Sequence, residues 1–250
     1  MAAILYATPA SHPCAAVERA LQVKGLDYRR VDQIPALHRL LQRSRFGAWT
    51  VPGVAFADGT RVAGSRLIMR ALDERAPEPP LRPADHDERA RVERAEEWGD
   101  QVLQPIARRI VLTALSRAPG AVASYVEGAR LPLPGPAVRL SAPLVARLSR
   151  RVNRVADLDV RADLIALPAH LARVDRWIED GTLGGDAVNA AELQIGASLR
   201  LLLTLDDVAP AIGSRPAGAL ARRVFPDYPG RVAPGALPSG WLAGLGNGGQ

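Results

Sequence analysis

Cysteine occurs once in this 250-residue chain, at Cys14, which excludes an internal disulfide and any cysteine-built metal cluster. The four histidines, His12, His38, His86 and His170, have none of the spacings by which histidine pairs hold a metal, so no metal site is expected. Aromatic residues are scarce at 4%, which argues against a nucleic-acid surface, where bases stack on rings. No apolar run approaches the roughly 18 residues needed to cross a membrane, and no basic region precedes the short apolar stretch near the N-terminus. A soluble, cytoplasmic protein is expected, with neither a membrane nor nucleic acid as partner.

Lysine is nearly missing too. Lys24 is the only one, and the other 31 basic residues are arginines, giving a net charge of +6. The densest basic stretch runs from Arg130 to Arg154, with Arg139, Arg147, Arg150 and Arg151 between and no acid before Asp157. Such a helix could attract anionic partners, but without interleaved aromatics it reads as a solvated face. The remaining composition, 48% hydrophobic and 23% charged, is that of a globular chain long enough for one large domain or two ordinary ones.

The first 76 residues alternate between two periods. An apolar strand over residues 3–7 leads through a Pro- and Ser-containing turn to a helix over 15–23, with Ala16, Val17, Ala20 and Leu21 on one face and a stop at Lys24-Gly25. A strand over 27–31, a helix over 35–43, and strands over 53–57 and 60–63 flanking Asp58-Gly59 follow. Asp-Gly between apolar runs is a hairpin signal. A helix over 65–75 completes a β-α-β-α-β-β-α order, a small mixed sheet covered by helices. PEPPLRPAD at 77–85 carries four prolines and can continue neither element, so 77–87 reads as a linker. Beyond it only helical spacing recurs, ending in the strongly apolar 190–205 stretch, which makes 88–227 an all-α domain. Asn189 and Glu192 form a capping box at the start of that stretch, a folding device to which no chemistry is assigned. The Gly- and Pro-rich residues 228–250 are expected to be loosely ordered.

Four features could carry chemistry. Ser11, between the first strand and helix, either caps the helix or donates a hydrogen bond to a sulfur anion held at the helix N-terminus. Cys14, in the first turn, is positioned where a helix can activate a thiol, but with Ala15 and Ala16 behind it reads as a small packed hydrophobe. Val51-Pro52 precedes the third strand. A trans bond is the usual form there, whereas a cis bond would turn Val51's amide groups outward toward a peptide-like ligand. Gly64-Ser65-Arg66 opens the third helix, where Ser65 is either an N-cap or, with Arg66, a grip for a carboxylate.

Taken together, Ser11-x-Pro13-Cys14-x-x-Val17, Val51-Pro52, Gly64-Ser65-Arg66 and the Asn189–Glu192 cap resemble the glutathione S-transferase family, in its theta- and delta-like serine type. The resemblance covers about residues 3–225. It implies a thioredoxin-like N-terminal domain (1–76) followed by an all-helical C-terminal domain, and an apolar pocket for a small electrophile drawn from the second domain, with residues 98–102 as its expected wall. Glutathione would be the co-substrate and Ser11 the catalytic residue stabilising its thiolate. Val51, Pro52, Ser65, Arg66 and His38 would bind the tripeptide, and the chain would act as a homodimer in detoxification. Three positions depart from the family pattern: Gly64 stands where an acid usually precedes the serine, Ala15 where a basic residue follows the cysteine, and Phe46-Gly47 where Asn-Pro is common. These departures imply weakened or altered thiol binding. Two alternatives compete: a thiol–disulfide exchange enzyme using Cys14, and a non-catalytic binding protein that kept the fold.

Overall fold

The computed structural model describes residues 3–34, 38–131 and 135–245. Its first part is a four-stranded sheet in the order β2-β1-β3-β4, made of β1 (Ala3–Ala7), β2 (Tyr28–Asp32), β3 (Gly53–Ala55) and β4 (Arg61–Ala63). β1 pairs in parallel with β2 and antiparallel with β3, which pairs antiparallel with β4. Helix α1 (His12–Val23) buries Ala16, Val17, Ala20 and Leu21, the face expected from spacing. It ends where Gly25, at φ +62°, donates to Gln22 O, and Leu26 N–H reaches back to Leu21 O. α2 (His38–Phe46) follows; its expected start at Pro35 lies outside the described residues.

The β3–β4 hairpin is tighter in its strands and wider in its turn than expected. Phe56 N–H donates to Thr60 O, so three residues, Ala57, Asp58 and Gly59, form the loop rather than two. Gly59 takes φ +86°, which lacks a steric penalty only for glycine, and Asp58 Oδ1 accepts from Thr60 N–H at 2.8 Å. α3 (Ser65–Arg75) then packs on the sheet with Ile68, Met69 and Leu72 fully buried.

The linker is fixed rather than slack. The side chain of Lys24, fully buried, donates to Ala76 O (2.6 Å) and Pro79 O (2.8 Å) and pairs with Asp73 Oδ1 (2.6 Å). Asp73 also accepts from Leu81 N–H and Arg82, and Arg82 forks onto buried Glu96. Linker residue Leu81 is itself core, and its carbonyl accepts from Ala190 N–H at 2.8 Å.

The second part is helical. α4 (His86–Trp98) runs through one π-helical turn (Gly99–Leu103) into α5 (Gln104–Arg117). Short α6 (Val122–Tyr125), amphipathic α7 (Gly135–Val152) and long α8 (Asp157–Glu179) follow. α9 (Ala190–Leu202) is the core of this half: every residue but Arg200 is buried, and it packs against α1, α4, α5 and α11. The Asn189–Glu192 capping box forms as expected, with bonds of 3.0 and 2.9 Å. Gly99 at the π turn lets α9 approach, since a Cβ there would lie 2.8 Å from Ile195. α10 (Ala209–Gly213), α11 (Pro216–Val224) and α12 (Ser239–Leu242) end the described chain.

The stretch after residue 228, expected to be loose, is tied down through residue 245. Val232 pairs with Leu205, and Asp207 accepts from the N–H groups of Gly235 and Leu237 at 2.7 and 2.8 Å. Val232, Leu237 and Leu245 are buried. Its glycines and prolines shape turns around side-chain anchors supplied by Asp206 and Asp207 in the loop after α9.

Candidate active site

The register of the sheet brings three of the expected elements to one edge. Tyr6 in β1 pairs with Gly53, and Gly53 pairs with Ala63. The exit of β1 toward Ser11, the entry to β3 at Val51-Pro52 and the exit of β4 toward Ser65 therefore lie at the same end. Gly64 N–H donates to Pro52 O at 3.0 Å, tying the Val51-Pro52 turn to the start of α3. The Val51-Pro52 peptide is cis. Among the described residues the N–H and C=O of Val51 and the hydroxyl of Ser65 have no hydrogen-bond partner. Ser65 is buried at the N-terminus of α3, where unpaired backbone N–H groups and the helix dipole favour an anion.

Ser11 is the N-cap residue of α1, yet its side chain makes no capping bond. Its backbone N–H donates to Thr8 O at 3.3 Å, and the hydroxyl lies against the Cys14 thiol. Cys14 is 1% exposed. Burial pushes its thiol up to about 11, outweighing the Ser11 hydroxyl and the Thr8 backbone, which favour the thiolate. A thiol so held is neutral at physiological pH, which speaks against the exchange mechanism and for the packing role. His12, beside it, is buried with Nε2 3.2 Å from Gln104 O across the interface between the two halves. Burial, with Arg108 nearby, holds its pKa well below the usual histidine range.

A cleft of about 310 Å³ opens beside Ser11 and is lined by Ala15, Glu18, Arg30, Phe225 and Tyr228 among others. Glu18 and Arg30 form an ion-paired wall, and Arg30 Nε also donates to Asp32 behind it at 2.8 Å. The second half contributes residues 224–229, and Tyr228 donates its hydroxyl hydrogen to Ala10 O at 2.9 Å. That contribution is not visible in the sequence; Tyr228's place between prolines in an aromatic-poor tail is the only hint. The expected wall is elsewhere: Trp98 packs edge-on to Trp177 (5.2 Å between centroids) and lines a different cleft with Arg173. Asp100, in the same turn, instead accepts from Gln104 and Gln194, anchoring the π turn.

Two expected ligand contacts have other surroundings. The Arg66 guanidinium faces α4, 3.8 Å from Glu96 and 3.7 Å from Glu97. His38 opens α2 with Nδ1 buried and without a partner among the described residues, and burial lowers its pKa. No group of side chains suited to a metal ion occurs among the described residues.

Comparison with known proteins agrees with this architecture. Residues 5–80 match the family model of the glutathione S-transferase N-terminal domain. Solved structures similar over nearly the whole chain include a glutathione S-transferase from Rhodospirillum rubrum F11 (21% identity, 96% of this chain and 98% of that one, TM-score 0.58). The beta-etherase LigF from Sphingobium sp. strain SYK-6 is similar at 19% identity over 89% and 99% of the two chains, TM-score 0.59. A Methylobacterium radiotolerans glutathione S-transferase, solved with glutathione sulfonate, matches at 22% identity over 88% and 93%, TM-score 0.53. No curated protein matches the sequence. The chain thus has the fold of glutathione S-transferases: a thioredoxin-like N-terminal domain and a helical C-terminal region.

Proposed function

We propose that the protein conjugates the thiolate of glutathione, or of a related thiol, to a small electrophile. The observation that carries this reading is the set of unused hydrogen-bonding groups at one sheet end: Val51 N–H and C=O, the Ser65 hydroxyl, and a Ser11 side chain that caps nothing. Val51 would pair with the tripeptide backbone, and Ser65 at the α3 N-terminus would take a carboxylate. With Cys14 protonated, its S–H can point to Ser11 Oγ, leaving the hydroxyl hydrogen for the incoming thiolate. A hydrogen bond to a charged acceptor stabilises it by about 1.5–3 kcal/mol, enough to populate the nucleophile at neutral pH. The electrophile would occupy the cleft beside Ser11, bounded by Phe225 and Tyr228. A cytoplasmic homodimer acting in detoxification is the setting this reading implies.

Ser11→Ala is expected to lower turnover of a generic aryl halide about 10- to 100-fold while leaving glutathione affinity within about twofold. Turnover equal to wild type would remove Ser11 from the mechanism. A second reading, a non-catalytic binding protein, is favoured by Gly64 in place of an acid and by an Arg66 already facing two glutamates. Folded protein that is not retained on immobilised glutathione would decide for it.

A further inference from the structure

The cleft between the end of α5, α7 and the start of α8 is a second concavity, of about 390 Å³, lined by Ser116, Arg117, Arg147, Arg150, Arg151 and Val155. Four arginines line it, and among the described residues Asp157 is the one carboxylate that pairs with any of them. Arg117 reaches it at 3.3 Å and Arg150 more closely. The guanidinium groups of Arg147 and Arg151 have no ion pair or hydrogen bond among the described residues. Arg150 adds a buried Nε–H that meets no acceptor among the described residues. Arg117 is further fixed by stacking over Trp241, 5.0 Å from the ring centroid. Elsewhere Arg30, Arg82, Arg109 and Arg215 are each matched to a carboxylate.

We propose that this cleft binds a phosphate group carried by a small anion or a lipid headgroup. Four cations against one carboxylate leave room for a dianion, and guanidinium forks match phosphate oxygens. The depression is open to solvent and has room for one or two phosphates, and among the described residues no aromatic side chain lines it on which a base could stack. On the outward face of α7, exposed Leu144, Leu148 and Val152 run beside Arg147 and Arg151, so a headgroup source is compatible with the same residues.

The test uses the full chain with two probes: sodium pyrophosphate by calorimetry, and sedimentation with phosphatidylcholine vesicles with and without phosphatidylglycerol. The double variant R147Q/R151Q should weaken binding about tenfold or more, because each lost guanidinium removes a charge-assisted hydrogen bond. R29Q/R70Q, which takes the same charge from exposed positions in the first half of the chain, should leave it within about twofold. Binding of pyrophosphate with that selectivity assigns a soluble phosphate ligand, and vesicle binding alone assigns a headgroup. Absence of binding to both probes, or a loss that is equal in the two variants or missing from both, overturns the proposal.

Discussion

At the linker, Lys24, Arg66 and Arg82 face Asp73, Glu93, Glu96 and Glu97, while in the α7 cleft four arginines share Asp157 alone. The linker cations are largely shielded from water, and each has a carboxylate or carbonyl within reach. There the charges act as fixed joints: Lys24 gathers the end of α3 and the proline turn onto α1, and Arg82 carries the connection to α4. Two cleft arginines, by contrast, extend into solvent without partners. Buried charge that is fully matched holds a fold together only while every partner stays, whereas unmatched surface charge can be removed at little cost to folding.

The largest effect that separates the two regions should come from Lys24→Met. The substitution keeps the apolar stem but leaves two carbonyls and part of Asp73 without their donor. We expect a loss of about 3 kcal/mol in unfolding free energy, less than the upper range for a broken buried pair because Arg82 and Leu81 N–H still reach Asp73. Arg147→Gln should cost under about 0.5 kcal/mol in the same urea titration. If the two variants unfold at the same denaturant concentration, the distinction between joint and surface charge fails.

The same contrast explains what could be read from the chain alone. The βαβαββα order was legible because strands and helices of the first half each keep one period and are stopped by Gly25, Asp58-Gly59 and the prolines of 77–85. Val51-Pro52 and Gly64-Ser65 could be singled out because turn chemistry leaves a local trace. The anchors of residues 228–245 could not, since Asp207 and Tyr125 reach them across long sequence separations. Nor could the wall of the Ser11 cleft: the Tyr228–Ala10 bond spans 218 residues, and Trp98 packs on Trp177 of α8 instead. Arginine content signalled that positive charge was abundant, but only tertiary contacts sort it into matched and unmatched sets.

Between those extremes lie groups kept uncharged, and His12 gives the next effect in size. Its folded pKa lies below the ordinary 6.5, chiefly through burial, so the folded state resists the proton that the unfolded chain accepts. Stability linked to His12 is therefore complete above pH 6.5 and is lost as pH falls from there toward the folded pKa. The slope reaches at most about 1.4 kcal/mol per pH unit. Urea midpoints at pH 7.5 and 5.5 should show a drop in the wild type that is smaller by about 1 kcal/mol in His12→Gln. His38 and His170, also lowered by burial, preserve part of the slope in the variant. An unaltered acid slope in His12→Gln would show that protonation of this side chain is not linked to unfolding.

Cys14 gives a comparably small effect and bears directly on the chemistry. A thiol raised to about 11 is almost wholly protonated at pH 7.5, and with 1% of its surface exposed it offers no approach to an electrophile or a disulfide. Cys14→Ala should cost about 1 kcal/mol for the lost packing and leave conjugation within about twofold of wild type. Incubation of the wild type with oxidised glutathione at pH 7.5 should yield no mixed disulfide by mass spectrometry until urea opens the fold. Rapid adduct formation in the native protein would show that α1 opens readily at its first turn. It would restore the cysteine as a nucleophile and weaken the case that Ser11 acts on a sulfur brought in by the ligand.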